Sequence, residues 1–252
     1  MKRSDFSHHV ASLLRIRAPG FVVLGLVAIH GLVMLLHDAP DRMFALYEYL
    51  GLHWQTFKSG WVWQIWTYAF LHGGGFHLGV NALGIILLGS RVEHIIGSRG
   101  FLRVCFLGIL GGGAAHLVGA ASGAGAPILV GFSGAMMALL LLLTTLSPES
   151  RMWPLPLSGR SIGLGILIAE GFLALMDPSL GLPVVSRIGI WIASNGGASW
   201  FDIAHACHFG GGIAGWLYGR WLLRHRVSLK SLRRARERRE ADRCAGSQRP
   251  PR

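Results

Sequence analysis

Ser133 stands in Gly131-Phe132-Ser133-Gly134, a G-x-S-G arrangement at the start of an apolar run. Glycine on both sides lets the backbone turn and a substrate come near. The helix that follows would present free N–H groups and positive potential where an oxyanion forms. A serine hydroxyl is a weak nucleophile until a base takes its proton. His208 can supply that base, because it heads the stripe Gly211, Gly215 and Gly219, whose four-residue spacing lets another helix approach closely. His77 and Asn81, four apart, share one helical face and are polar candidates for a functional role. The implied chemistry is acyl transfer through a serine.

A third catalytic member is harder to find in the sequence. Asp202 precedes His208 by six residues, roughly 9 Å along a helix and on another face, so the expectation is a Ser-His dyad. Met137, one turn below Ser133, is placed to pack beneath the imidazole as its support. Each residue also has a plainer reading: G-x-S-G as helix packing, and His77 and Asn81 as bonds between neighbouring helices. His205 reads as an exposed helix-start residue, and Glu170 is given no catalytic task. Cys207 should point away from its neighbour His208. No metal site and no cofactor are expected, since H-E-x-x-H is absent and the 205/208 pair lacks an evident acidic partner.

The elements that must hold these groups belong to a membrane protein. Of 252 residues, 52% are apolar and only 14% charged, too little charge to clothe a water-facing domain. Mean hydropathy is +0.46. The 45 residues between Arg103 and Glu149 carry no Asp, Glu, Lys or Arg, about twice the length that one crossing requires. Gly119 to Pro127 forms a breaker cluster in their midst. Apolar runs bounded by charged stops give six expected spans, 21–36, 76–89, 104–118, 132–146, 162–176 and 203–223. The organisation is a cytoplasmic segment 1–20, a membrane domain 21–223 and a basic tail 224–252 that is disordered or an amphipathic helix. The fold class is all-α.

Sorting the 24 basic residues by loop places 21 on one side and only Arg42, Lys58 and Arg187 on the other. Both termini are therefore expected in the cytoplasm. The excess positive charge gathers in the tail, which argues for an anionic membrane surface and against nucleic acid as partner. No cleavable signal peptide is apparent at the N-terminus. The three cysteines, Cys105, Cys207 and Cys244, lie singly and imply no disulfide framework. Counting back from the cytoplasmic stops places His77, Asn81, Ser133 and His208 roughly 15 to 21 Å above the inner face, in one layer. Ionisable groups at such depth are functional candidates by default.

With these residues in hand the sequence resembles the rhomboid intramembrane serine proteases. The resemblance runs from about Trp63 to Gly219: Trp63 through Thr67, Phe70-Leu-His72, His77-x-x-x-Asn81, Gly89 with Glu93 and Gly97, Gly131-Phe-Ser-Gly134, and His208-x-Gly-Gly-x-x-x-Gly215. It implies a six-helix bundle, Ser133 as nucleophile, His208 as general base, and an oxyanion hole of His77, Asn81 and the Ser133 N–H, with Phe132 beside it among the substrate-stabilising residues. It also implies that the stretch 177–202 caps the site, that the fifth span borders substrate entry, and that the partners are single-span membrane proteins in the lipid bilayer. A multi-pass protein of a bacterial inner membrane follows as the expected location. Gln64 stands where the family motif usually has arginine, and Met137 where tyrosine often stacks on the histidine. A transporter is the rival, but the two halves show no convincing repeat. A catalytically silent relative would lack the nucleophile or the base, and both are present.

Overall fold

The computed structural model of the protein describes residues 17–122, 127–151 and 157–224. The expected N-terminal segment (apart from its last residues), the middle of the Gly119 to Pro127 breaker, Cys244 and the basic tail beyond Arg224 lie outside the described residues. Among the described residues the protein is all-helical, with two isolated β-bridges and no strand. Helix α1 spans Ala18–Met34, α2 Pro40–Leu50, α3 Trp54–Lys58 and α4 Gln64–Thr67. α5 (Gly75–Gly84) continues through a wider π-type turn, Ile85–Gly89, into α6 (Ser90–Ser122). α7 (Ser133–Leu146), α8 (Gly159–Met176), α9 (Val185–Ile192) and α10 (His205–Arg224) complete the order.

All six apolar segments marked in the sequence are helical, with ends shifted by a few residues. Two helical stretches, Gly75–Ala121 and Gly159–Met176, are long and apolar enough to cross a membrane, and Ala18–Met34 and Ser133–Leu146 are shorter apolar helices. Large apolar side chains cover the outside: Phe21, Leu83, Leu102, Phe172 and Leu217 are all more than 45% exposed. Such a surface suits lipid and not water. Within the long α5–α6 stretch the chain breaks at Gly97, whose φ of 74° ends one helix and starts the next. Glu93 fixes this corner, accepting from the Ser98 hydroxyl at 2.6 Å and from the Ala18 N–H at the start of α1 at 3.2 Å. A carboxylate is favoured there by the free N–H groups and positive end of α1.

The core is a three-helix contact of α10 with α7 and α6. α10 reaches both through glycine. A Cβ on Gly211 would collide with the Gly134 carbonyl and one on Gly215 with the Ala138 carbonyl, both on α7. On the adjoining face, a Cβ on Gly210 would strike the Gly111 carbonyl on α6. The helix that the stripe admits is thus α7, through its thin Gly134/Ala138 face. In lipid, where no hydrophobic force draws helices together, such backbone contact supplies the packing. α7 is the most deeply enclosed helix, with Ala135, Ala138, Leu139 and Leu142 fully buried.

The segment between α2 and α5 is held by polar bonds. Gln64, wholly buried, accepts from the Thr56 hydroxyl at 2.7 Å and donates from Nε2 to the Glu48 carbonyl at 2.7 Å. Thr67 donates to the Leu50 carbonyl at 2.6 Å. The amide therefore anchors α2 and α3 to α4 without the charge that arginine would bring, and every bond is to a neutral group.

Candidate active site

The approach to Ser133 is fixed by backbone bonds. Leu52 and Leu129 exchange N–H···O bonds at 3.0 and 2.9 Å, and the Gly131 N–H donates to the Tyr68 carbonyl at 3.0 Å. Gly131 has φ of +114°, and a Cβ there would lie 2.7 Å from His77 Cε1 and Nε2. Two constraints thus demand glycine at this position: the left-handed backbone and the imidazole laid against it. α7 then begins at Ser133, so the serine and the first free N–H groups of the helix share one end.

A cavity of about 510 Å³ lies over this end. Ser133, His77, Asn81, His116, His205 and His208 all line it, drawn from α5, α6, α7 and α10. Its size is that of an ordinary ligand cleft. Leu180, Phe201 and Asp202, from the connection between α8 and α10, also line it. Asn81 is almost fully buried, and its Nδ2 donates to the His77 carbonyl at 2.9 Å, which leaves one amide N–H for another acceptor. His72 packs edge-on to His77 at 5.1 Å. Burial, with the His77 and His30 imidazoles adding to it, pushes the His72 pKa down to about 4, so this ring is neutral at neutral pH.

Of the residues singled out in the sequence, Ser133, His208, His77 and Asn81 meet at this cavity. Phe132 does not: its side chain lines a separate apolar cavity with Leu26, Phe70 and Phe106, so only its backbone borders the serine. Met137 is buried within α7, and it is Met136 that reaches the cavity, its sulfur against Gly84 of α5. Cys207 points away from the cavity toward α6 and α7, with Sγ 3.6 Å from the Tyr68 hydroxyl.

Two readings need correction. His205 is not an exposed helix-start residue; it is 7% exposed, with Nε2 2.8 Å from the Trp200 carbonyl. Glu170, given no task in the sequence, lies at the site. From α8 it bonds both histidines, Oε1 to His208 Nδ1 at 3.1 Å and Oε2 to His205 Nδ1 at 2.6 Å. The 205/208 pair therefore has an acidic partner after all. It comes from another helix, and no spacing within one segment reveals it.

The arrangement has defined chemistry. A carboxylate at His208 Nδ1 accepts that nitrogen's hydrogen and leaves the lone pair on Nε2, the tautomer that a general base needs. A histidine so oriented, a serine at a helix N-terminus and an amide with a spare N–H share one chamber.

Comparison with known proteins agrees with this picture. A family model, the rhomboid domain, matches residues 59–225, about two thirds of the chain and every residue that lines the chamber. Rhomboid-like protein 17, chloroplastic, of Arabidopsis thaliana is 32% identical over 96 residues, which are 38% of this chain and 28% of that protein. The aligned stretch thus spans little more than a quarter of that relative. With the glycine-packed helices, the apolar exterior and the extent of the domain match all in accord, the chain belongs to the rhomboid family and is a membrane protein with helical spans.

Proposed function

We propose that this protein is an intramembrane serine protease that cleaves single-span membrane proteins near the outward end of their membrane segment. One observation carries the reading: Ser133, His208, His77 and Asn81, from three separate helices, line a single cavity. In this reading the chain crosses the membrane six times, with both termini in the cytoplasm of a bacterial cell, and the cavity opens outward to admit water.

Ser133 Oγ attacks the scissile carbonyl as His208 Nε2 takes its proton. The carbonyl oxygen becomes an oxyanion, held by the Ser133 N–H, the spare Asn81 N–H and His77. The C–N bond then breaks, and His208 passes the proton to the departing amine. Water, deprotonated by the same imidazole, releases the acyl group and restores the serine. Glu170 is a positioning residue: it holds the His208 tautomer and balances the imidazolium that forms midway. The reading is thus extended from a dyad to a serine, a histidine and an orienting carboxylate.

Glu170→Gln retains an oxygen that can accept from His208 but lacks the charge. Turnover of a single-span reporter in liposomes is expected to fall about 10- to 100-fold in kcat with KM little changed, part of the effect that general base catalysis supplies. The pH profile of kcat should shift with it, because the imidazolium loses its counter-charge. An unchanged kcat and profile would remove Glu170 from the reaction.

A further inference from the structure

The contact between Glu170 and His205 raises a question of donors. His205 Nε2 faces the Trp200 carbonyl at 2.8 Å, which only accepts, and His205 Nδ1 faces Glu170 Oε2 at 2.6 Å, which when ionised also only accepts. A neutral imidazole has one N–H. Both contacts are satisfied only when a cation, a proton or a metal ion, sits between Nδ1 and the carboxylate. With the Nε2 hydrogen on the Trp200 carbonyl, the Nδ1 lone pair is free for a cation held against Glu170. Metal-binding histidines are oriented in this way, the far N–H donated to a backbone carbonyl. His208 stands three residues on, its ring 6.2 Å from that of His205, and its Nδ1 faces the other oxygen of the same carboxylate. One ligand atom from each of Glu170, His205 and His208 falls within 4.8 Å of the other two.

We propose that Glu170, His205 and His208 form a site for a divalent transition-metal ion of the zinc class, and that its occupancy switches the protease off. Two imidazole nitrogens and a carboxylate oxygen suit such an ion, with water from the cavity as the fourth ligand. Charges and protons balance. The proton between His205 Nδ1 and Glu170 goes to solvent, and Nε2–H stays on the Trp200 carbonyl. His208 moves its proton from Nδ1 to Nε2, and both Nδ1 lone pairs bind the ion. One proton leaves, no electron moves, and Glu170 remains a carboxylate. His208 Nε2 then carries hydrogen and cannot accept the proton of Ser133. The switch rests on the protease reading, whereas the site itself does not.

The test uses the whole Ser133→Ala chain in detergent, titrated with Co²⁺ alone. The expected result is one equivalent bound with the intense visible absorption of a four-coordinate ion, displaced by Zn²⁺, and at least tenfold weaker binding in Glu170→Gln and His205→Ala. His205→Gln, which keeps a donor toward Glu170, decides the matter where the alanine variant does not fold. Only the pale absorption of hydrated Co²⁺, or equal binding by the folded variants, would overturn the site. With the unsubstituted enzyme, Zn²⁺ should lower turnover at least tenfold and a chelator should restore it. Zn²⁺ bound with turnover unchanged would overturn the switch. A chain that cleaves nothing even with chelator present would defeat the protease reading and leave the Co²⁺ result standing.

Discussion

Ser133→Ala should abolish cleavage of a single-span substrate while leaving the protein folded. The expected loss is on the order of 10⁴- to 10⁶-fold in kcat, the size seen when a serine enzyme loses its nucleophile and keeps its binding site. Fold should survive because the change deletes one oxygen beside a cavity, at a position where α7 starts without a side-chain cap from its preceding residue. Purified protein reconstituted with substrate, with thermal unfolding measured in parallel, separates the two effects. Cleavage that persists in a folded Ser133→Ala protein would place the nucleophile elsewhere.

Gly215→Val is expected to have the largest effect on structure. The Gly215 Cα lies so close to the Ala138 backbone that even a Cβ would collide with that carbonyl, and the obstacle is main chain, which cannot rotate away. Valine adds two further carbons. The helices must part, at a cost of about 3 kcal/mol or more, beyond the usual range for an overpacked core. Because the same face of α10 carries His208 near its N-terminal end, separation of α10 from α7 also withdraws the base from Ser133. Loss of both cooperative unfolding and activity is therefore expected in detergent. At Gly165, where a Cβ would have nothing within 4 Å, alanine should be tolerated. A Gly215→Val protein as stable and active as the parent would show that α10 and α7 do not depend on this contact.

The sequence exposes some of this architecture and hides the rest for physical reasons. Apolar runs between charged stops mark the helices because lipid enforces that pattern directly, and the Gly211/Gly215 stripe shows at four-residue spacing because helix geometry does. His77 and Asn81 stand out for the same reason. Glu170 does not, since its partners lie 35 and 38 residues away and meet it only through the packing of α8 on α10. Read alone, it is an acidic residue in an apolar run. A rule that a lone intramembrane carboxylate should be sought opposite a lone histidine would have raised it. Gln64 is similar: its bonds to Thr56 and Glu48 depend on a fold-back that no local pattern specifies. Phe132 and Met137 show the limit of reading a motif by adjacency: Phe132, next to Ser133, lines a separate apolar cavity, and Met137 is buried while its neighbour Met136 lines the chamber.

Activation of the Ser133 hydroxyl by His208 in the shared cavity is open to a fluorophosphonate probe, which reacts only with an activated serine. With membranes holding the unsubstituted protein, peptide mapping should find the phosphonyl group on Ser133 alone, and labelling should vanish in Ser133→Ala and fall at least 100-fold in His208→Ala. Labelling of Ser133 at an equal rate in the folded His208→Ala protein, or no labelling at Ser133 in the parent, would contradict the account.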